Sequence, residues 1–130
     1  MIKVFSLIFV LLFCGLLSNC FVDDSLQVEI PENYLSIKGL NVWVFRNIEY
    51  VSDIVSKTQS AEETLFIGQG DCEDFAALLI ALCGQKLNIY PVMLIIYENG
   101  RGHAVVEYEA LWYDATYGVV YERNEDLMWY

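Results

Sequence analysis

Histidine is almost missing from this chain: of 130 residues only His103 is one. Basic side chains are scarce as well, seven Lys and Arg against eighteen Asp and Glu, for a formal net charge of −11 at pH 7. Each shortage excludes something. One histidine and no Cys-x-x-Cys pair leave no ligand set for a structural zinc, and no Asp/Asn-rich loop has calcium spacing, so neither a metal nor another cofactor is expected. Without a basic stretch or aromatic–basic interleaving, an acidic surface repels phosphate backbones, and nucleic acid is not expected as a partner. Cationic peptides or amine-bearing molecules would be steered towards it. Internal repeats and low-complexity segments are absent too, and the length suits one domain.

The longest apolar run is at the N-terminus. Lys3 is a minimal positive region, and Val4 to Leu17 is uncharged and of the length of a signal-peptide core. Leu17-Ser18-Asn19-Cys20 follows. The arrangement resembles a bacterial lipoprotein signal, in which the cysteine is lipidated and becomes the first residue; Asn19 departs from the small residue usual at its position. The expected organisation is a signal peptide over 1–19, a tether over 20–33 and a domain over 34–130. The implied location is the bacterial cell envelope, with the protein held at the membrane by lipid on Cys20. An uncleaved anchor over Val4–Val22 and a secreted form are the alternatives. Loss of Lys3 with the signal makes the charge one unit more negative.

Cys14 and Cys20 belong to that leader, which leaves Cys72 and Cys83 for the domain. The stretch from Phe75 to Cys83 is apolar on every side, the mark of a central helix rather than a surface one. Gly68 and Gly70 allow a sharp turn into it, Asp71 is a good N-cap, and Asn88 is a suitable left-handed stop before Pro91, predicting a helix over Cys72–Leu87. Eleven helical residues separate Cys72 from Cys83 by about 16 Å, too far for a disulfide, whose Cα atoms lie within roughly 7 Å. Upstream, Val44, Ile48, Val51 and Val55 recur at helical spacing, predicting a helix from an Asn41 cap to Val55. Ser60-Ala61-Glu62-Glu63 fits a capping box for a short helix ending near Leu65 or Phe66. Downstream, Tyr90–Tyr97 reads as a buried central strand, Asn99-Gly100 as a hairpin turn, and His103–Glu109 as a strand that alternates. On that strand Val105, Glu107 and Glu109 share the His103 face. Leu111–Asp114 makes a third strand, and Val119–Tyr121 and Leu127–Tyr130 are candidate edges. The sum is an α+β domain, a cysteine-bearing helix packed on a small antiparallel sheet.

A thiol at a helix N-terminus sits at the positive end of the macrodipole, which favours its thiolate. A base within reach of that thiol, oriented by a third group, completes a thiol nucleophile. His103 and, across the ladder from its strand, Asp114 are the candidates. Asp71, Glu73 and Asp74 set negative charge beside the thiol and oppose the thiolate. The backbone N–H of Cys72 is free at the helix start to meet an oxyanion, and Gln69 is the candidate side-chain donor.

Three blocks, Gly70-Asp71-Cys72-Glu73-Asp74, Gly102-His103-Ala104-Val105-Val106-Glu107 and Trp112-Tyr113-Asp114-Ala115-Thr116, together resemble the core of the transglutaminase-like superfamily of papain-fold cysteine enzymes, including its bacterial cysteine-proteinase branch. The resemblance runs from about Trp43 to Gly118; Ala115 stands where that family usually has proline. It implies a papain-like fold and a Cys72–His103–Asp114 triad of nucleophile, base and orienting acid, acting by acyl transfer on an amide or ester of a protein or peptide. Water as acceptor gives a peptidase or amidase. An amine gives a cross-linking transamidase, and a non-catalytic peptide-binding module on the same fold is the remaining alternative.

Overall fold

A computed structural model describes residues 26–52 and 57–127. The signal, Cys20, the first part of the tether and residues 128–130 lie outside the described residues. In chain order the elements are α1 (Ile37–Asn47), β1 (Glu49–Tyr50), α2 (Ala61–Ile67), β2 (Gln69–Gly70), α3 (Cys72–Leu82), β3 (Val92–Glu98), β4 (Arg101–Tyr108), β5 (Leu111–Asp114) and β6 (Val119–Glu122). β3 to β6 form one antiparallel sheet in sequence order, and β1 pairs with β2 in a two-residue parallel ladder. Among the described residues no helix is long and apolar enough to cross a membrane.

The predicted central helix is the centre of the core. Phe75, Ala76, Leu78, Leu79 and Leu82 of α3 are buried together with Leu40, Trp43 and Val44 of α1 and Ala104, Val106 and Tyr113 of the sheet. Asp71 caps α3, its carboxylate accepting the N–H groups of Glu73 and Asp74 at 3.0 and 3.1 Å. α3 ends at Leu82, before the predicted stop; Cys83–Leu87 continue as a π-helical turn, closed by left-handed Asn88. Cys72 and Cys83 are both free thiols. The capping box of α2 is present in both directions, Glu63 N–H to Ser60 Oγ and Ser60 N–H to Glu63 Oε2.

α1 corrects the expectation upstream. It starts five residues before the expected span, after Ser36, whose side chain accepts from the Gly39 N–H at 2.9 Å, and it stops at Asn47. The apolar recurrence carries on past Asn47, but the backbone there is taken by β2: Glu49 and Val51 N–H groups bond to Gly68 and Gly70 carbonyls. Pairing with a distant segment overrides the local helical pattern. Asn41 is not a cap but a buried helical residue, its amide donating to the Val119 carbonyl at 3.0 Å.

Residues 26–30, expected as tether, are irregular yet packed. Leu26 is buried and Val28 and Ile30 rest on the core, with Gln85 and Lys86 side chains donating to the Leu26 and Val28 carbonyls. β3 is likewise corrected, from a central strand to an edge strand with Val92, Ile95 and Tyr97 exposed. Its unbroken apolar run reflects two different contacts: Met93 faces the main core, and Leu94 and Ile96 face a smaller cluster with Val105, Trp112, Tyr121 and Leu127. Asn99 and Gly100, at φ 53° and 76°, make the predicted turn. The alternation of β4 is also as expected, Ala104 and Val106 towards α3 and Val105 towards the smaller cluster. Leu127 closes a 3-10 turn over Glu125–Leu127, not the start of a strand.

Candidate active site

Cys72 is the first residue of α3 and half-buried. The turn before it is fixed from both sides. Asp74, fully buried, accepts from the Asp71 N–H at 3.0 Å, from the Gln59 N–H at 2.6 Å and from Gln59 Nε2 at 2.9 Å. Glu73 accepts from the Thr58 hydroxyl at 2.7 Å. These carboxylates therefore tie residues 58–59 to the helix start. Gly70 is needed here for space, since a Cβ would stand 2.6 Å from the Asp74 Cβ.

The sheet brings the other two groups together. His103 lies on β4 on the Val105 face, and Asp114 ends β5 on the Trp112 face. His103 Nε2 is 2.8 Å from Asp114 Oδ2. Asp114 is 3% exposed, and its Oδ1 accepts the Thr116 N–H at 3.1 Å. The ring is pushed up from 6.5 to about 10, first by its hydrogen bond to Asp114, then by its hydrogen-bonding interaction with Cys72 and by the charge of both, against burial that lowers it. With Nε2 on Asp114, Nδ1 is the ring nitrogen left for the thiol.

Gln69, the candidate oxyanion donor, is placed elsewhere. It is exposed on β2, and its Nε2 donates to Glu49 Oε2 at 3.2 Å. The Cys72 N–H remains at the first position of α3, where no intrahelical acceptor exists.

Three tyrosines complete the surroundings. Tyr117 tilts against the His103 ring at 5.8 Å between centroids. Tyr50 packs edge-on to Phe75 at 6.1 Å, and its hydroxyl is pushed up by burial and then by the charges of Cys72, Asp71 and Tyr117. Tyr121 is pushed up to about 12 by burial, then by the charge of Asp114 and a hydrogen-bonding interaction with it, and by Glu98. A groove of about 850 Å³ runs over His103 and Asp114 between these rings, with Ile96, Glu98, Arg101 and Leu127 on its other sides. Tyr121 pairs with Trp112, two residues from Asp114 on the same face. Among the described residues no three His, Cys, Asp or Glu side chains gather as a metal site.

A helix that presents a thiol at its start to a histidine and an aspartate on an antiparallel sheet follows the papain-like fold of thiol enzymes. The sequence is similar to the transglutaminase-like superfamily, whose sequence profile matches residues 24–86. That stretch contains Cys72 and ends before β3, so His103 and Asp114 are placed by the fold rather than by the profile. A crystal structure from Cytophaga hutchinsonii, of a protein whose title as a cysteine protease is itself provisional, is similar at a TM-score of 0.53 and 30% identity. The similarity covers 69% of this chain and 33% of that one, so this chain spans about a third of its length. No curated protein matches the sequence.

Proposed function

We propose that the protein is a thiol acyl-transfer enzyme that hydrolyses an amide or ester, most simply in a peptide. The observation carrying this reading is the 2.8 Å contact of His103 with buried Asp114, on a ring that also interacts with the Cys72 thiol. In the proposed cycle Cys72 and His103 share one proton. With that proton on the ring, Sγ attacks the substrate carbonyl carbon, forming a C–S bond while the carbonyl pair moves onto oxygen, which meets the Cys72 N–H. Collapse breaks the bond to the leaving amine or alcohol, and His103 gives it the proton. Water then attacks the thioester, losing a proton to His103, and the acid departs as the thiol is restored. Asp114 holds the ring's orientation throughout. Export and a lipid on Cys20 form part of the same proposal, motivated by the leader's pattern.

The test uses peptide amide and ester libraries read by mass spectrometry, with iodoacetamide labelling of the folded protein alongside. Cleavage and Cys72 labelling that both disappear in Cys72→Ala, and slow together in His103→Ala, are expected. Cys83, buried and pushed up to about 12 by that burial, should stay unlabelled. Peptide binding without turnover, unchanged in Cys72→Ala, would instead identify a binding module.

A further inference from the structure

The Asp114 carboxylate is held through both of its oxygens. Oδ2 faces His103 and Oδ1 takes the Thr116 N–H. Tyr121 approaches it from β6. In the antiparallel ladder Asp114 pairs with Val119 and Trp112 with Tyr121, so Tyr121 is the diagonal neighbour of Asp114 on one face of the sheet. Its ring packs edge-on to buried Trp112 at 5.9 Å. Both residues line the groove.

We propose that Tyr121 is a positioning residue whose hydroxyl, donating to Asp114, limits how firmly that carboxylate holds the proton on His103. The proposal rests on the acyl-transfer reading, in which His103 must release its proton to the leaving group. The direction follows from linkage. A donor bonds a carboxylate more strongly when the neighbouring ring is neutral than when it is an imidazolium already sharing the charge. Tyr121 therefore favours the neutral ring, and removing its hydroxyl raises the proton affinity of His103. The other charged or titratable groups facing this pair are Cys72 from α3, Glu98 from β3, Arg101 from β4, Tyr117 from the β5–β6 loop and Tyr50 from β1. None is altered by a substitution at 121.

The test is the titration of His103 by proton–nitrogen NMR of the whole chain, where the single histidine gives one unambiguous ring. Tyr121→Phe keeps the ring on Trp112 and should raise the midpoint by about half to one pH unit, a three- to tenfold gain in proton affinity. 4-Fluorophenylalanine installed at 121, close to tyrosine in size but without a donor, should raise it likewise, and it serves on its own if the Phe variant does not fold. An unmoved or lowered midpoint in folded Tyr121→Phe, or in the 4-fluorophenylalanine variant, overturns the proposal; a purely structural tyrosine would shift only the melting temperature. Because the titration needs no turnover, the two readings fail separately: an unmoved midpoint in an enzyme that depends on Cys72 removes only the role of Tyr121. Loss of the acyl-transfer reading shows instead as absent turnover.

Discussion

If Asp114 holds a proton on His103, the protein should lose stability as the pH rises. The ring titrates at about 10 in the folded chain against 6.5 when free. For a raised folded value, the stabilisation is complete below 6.5 and disappears as the pH climbs through about 10. Taken whole, that difference would correspond to about 5 kcal/mol at about 1.4 kcal/mol per unit. The His103 side chain is a quarter exposed, so water screens part of it, and Cys72 supplies another part. About 2 kcal/mol is left for the Asp114 pair, in keeping with a charge-assisted hydrogen bond. Urea denaturation followed by tryptophan fluorescence in steps between pH 6.5 and 9.5 reads it directly. At an ordinary slope the midpoint should fall by roughly 1 M across the window. Asp114→Asn, which keeps the shape and removes the charge, should start lower and decline much less. A flat profile in the unaltered protein, or an equal decline in Asp114→Asn, would refute the reasoning.

Two further outcomes are expected. Gly70→Ala should destabilise the domain by about 1–3 kcal/mol, because its Cβ would lie 2.6 Å from an Asp74 Cβ that is locked in the helix cap and cannot swing away; a thermal melt within a degree of the original would contradict this. The unaltered protein, expressed in bacteria, should partition into detergent and Cys20→Ala should release it or stall its processing; an intact mass showing Met1 or an unmodified Cys20 rules out the lipid.

What the sequence made legible was local. Ser60 with Glu63, Asp71 before Cys72, Asn88 after the helix and Asn99-Gly100 each satisfy or turn a backbone within four residues, and each is where it was expected. The alternation of β4 was legible because one strand face meets α3 and the other does not. The misreadings have non-local causes. α1 ends at Asn47 because β2, some twenty residues on, takes the backbone of Glu49 and Val51. β3 reads as central because both its faces find apolar neighbours, although among the described residues one edge has no partner strand. Glu109 and Ala110 turn with φ of 49° and 62° without any glycine, a conformation that strand pairing imposes and composition does not advertise. In the candidate site, the three residues were singled out through their blocks, and the structure sets His103 2.8 Å from Asp114. Their tyrosine surroundings were not, since only register brings Tyr121 to Asp114 and only the β5–β6 turn lays Tyr117 on His103.

Negative charge beside the thiol looked like an obstacle to a nucleophilic Cys72, and the structure shows how it is dispersed. Asp71 is spent on the amides of its own helix, Asp74 on Gln59 and the Asp71 N–H, and Glu73 on the Thr58 hydroxyl. Each hydrogen bond draws carboxylate charge towards backbone or amide donors that also fix the turn. Among the described residues the carboxylate bonded to the imidazole is Asp114, which acts on the ring rather than on the sulfur. The same acidic residues that make the turn rigid are thus kept from competing for His103. A substitution that frees one of them, such as losing Gln59 from Asp74, would weaken the turn and redirect a charge towards the thiol at once. In the proposed cycle, stability of the loop and reactivity of the cysteine would be coupled through these few bonds.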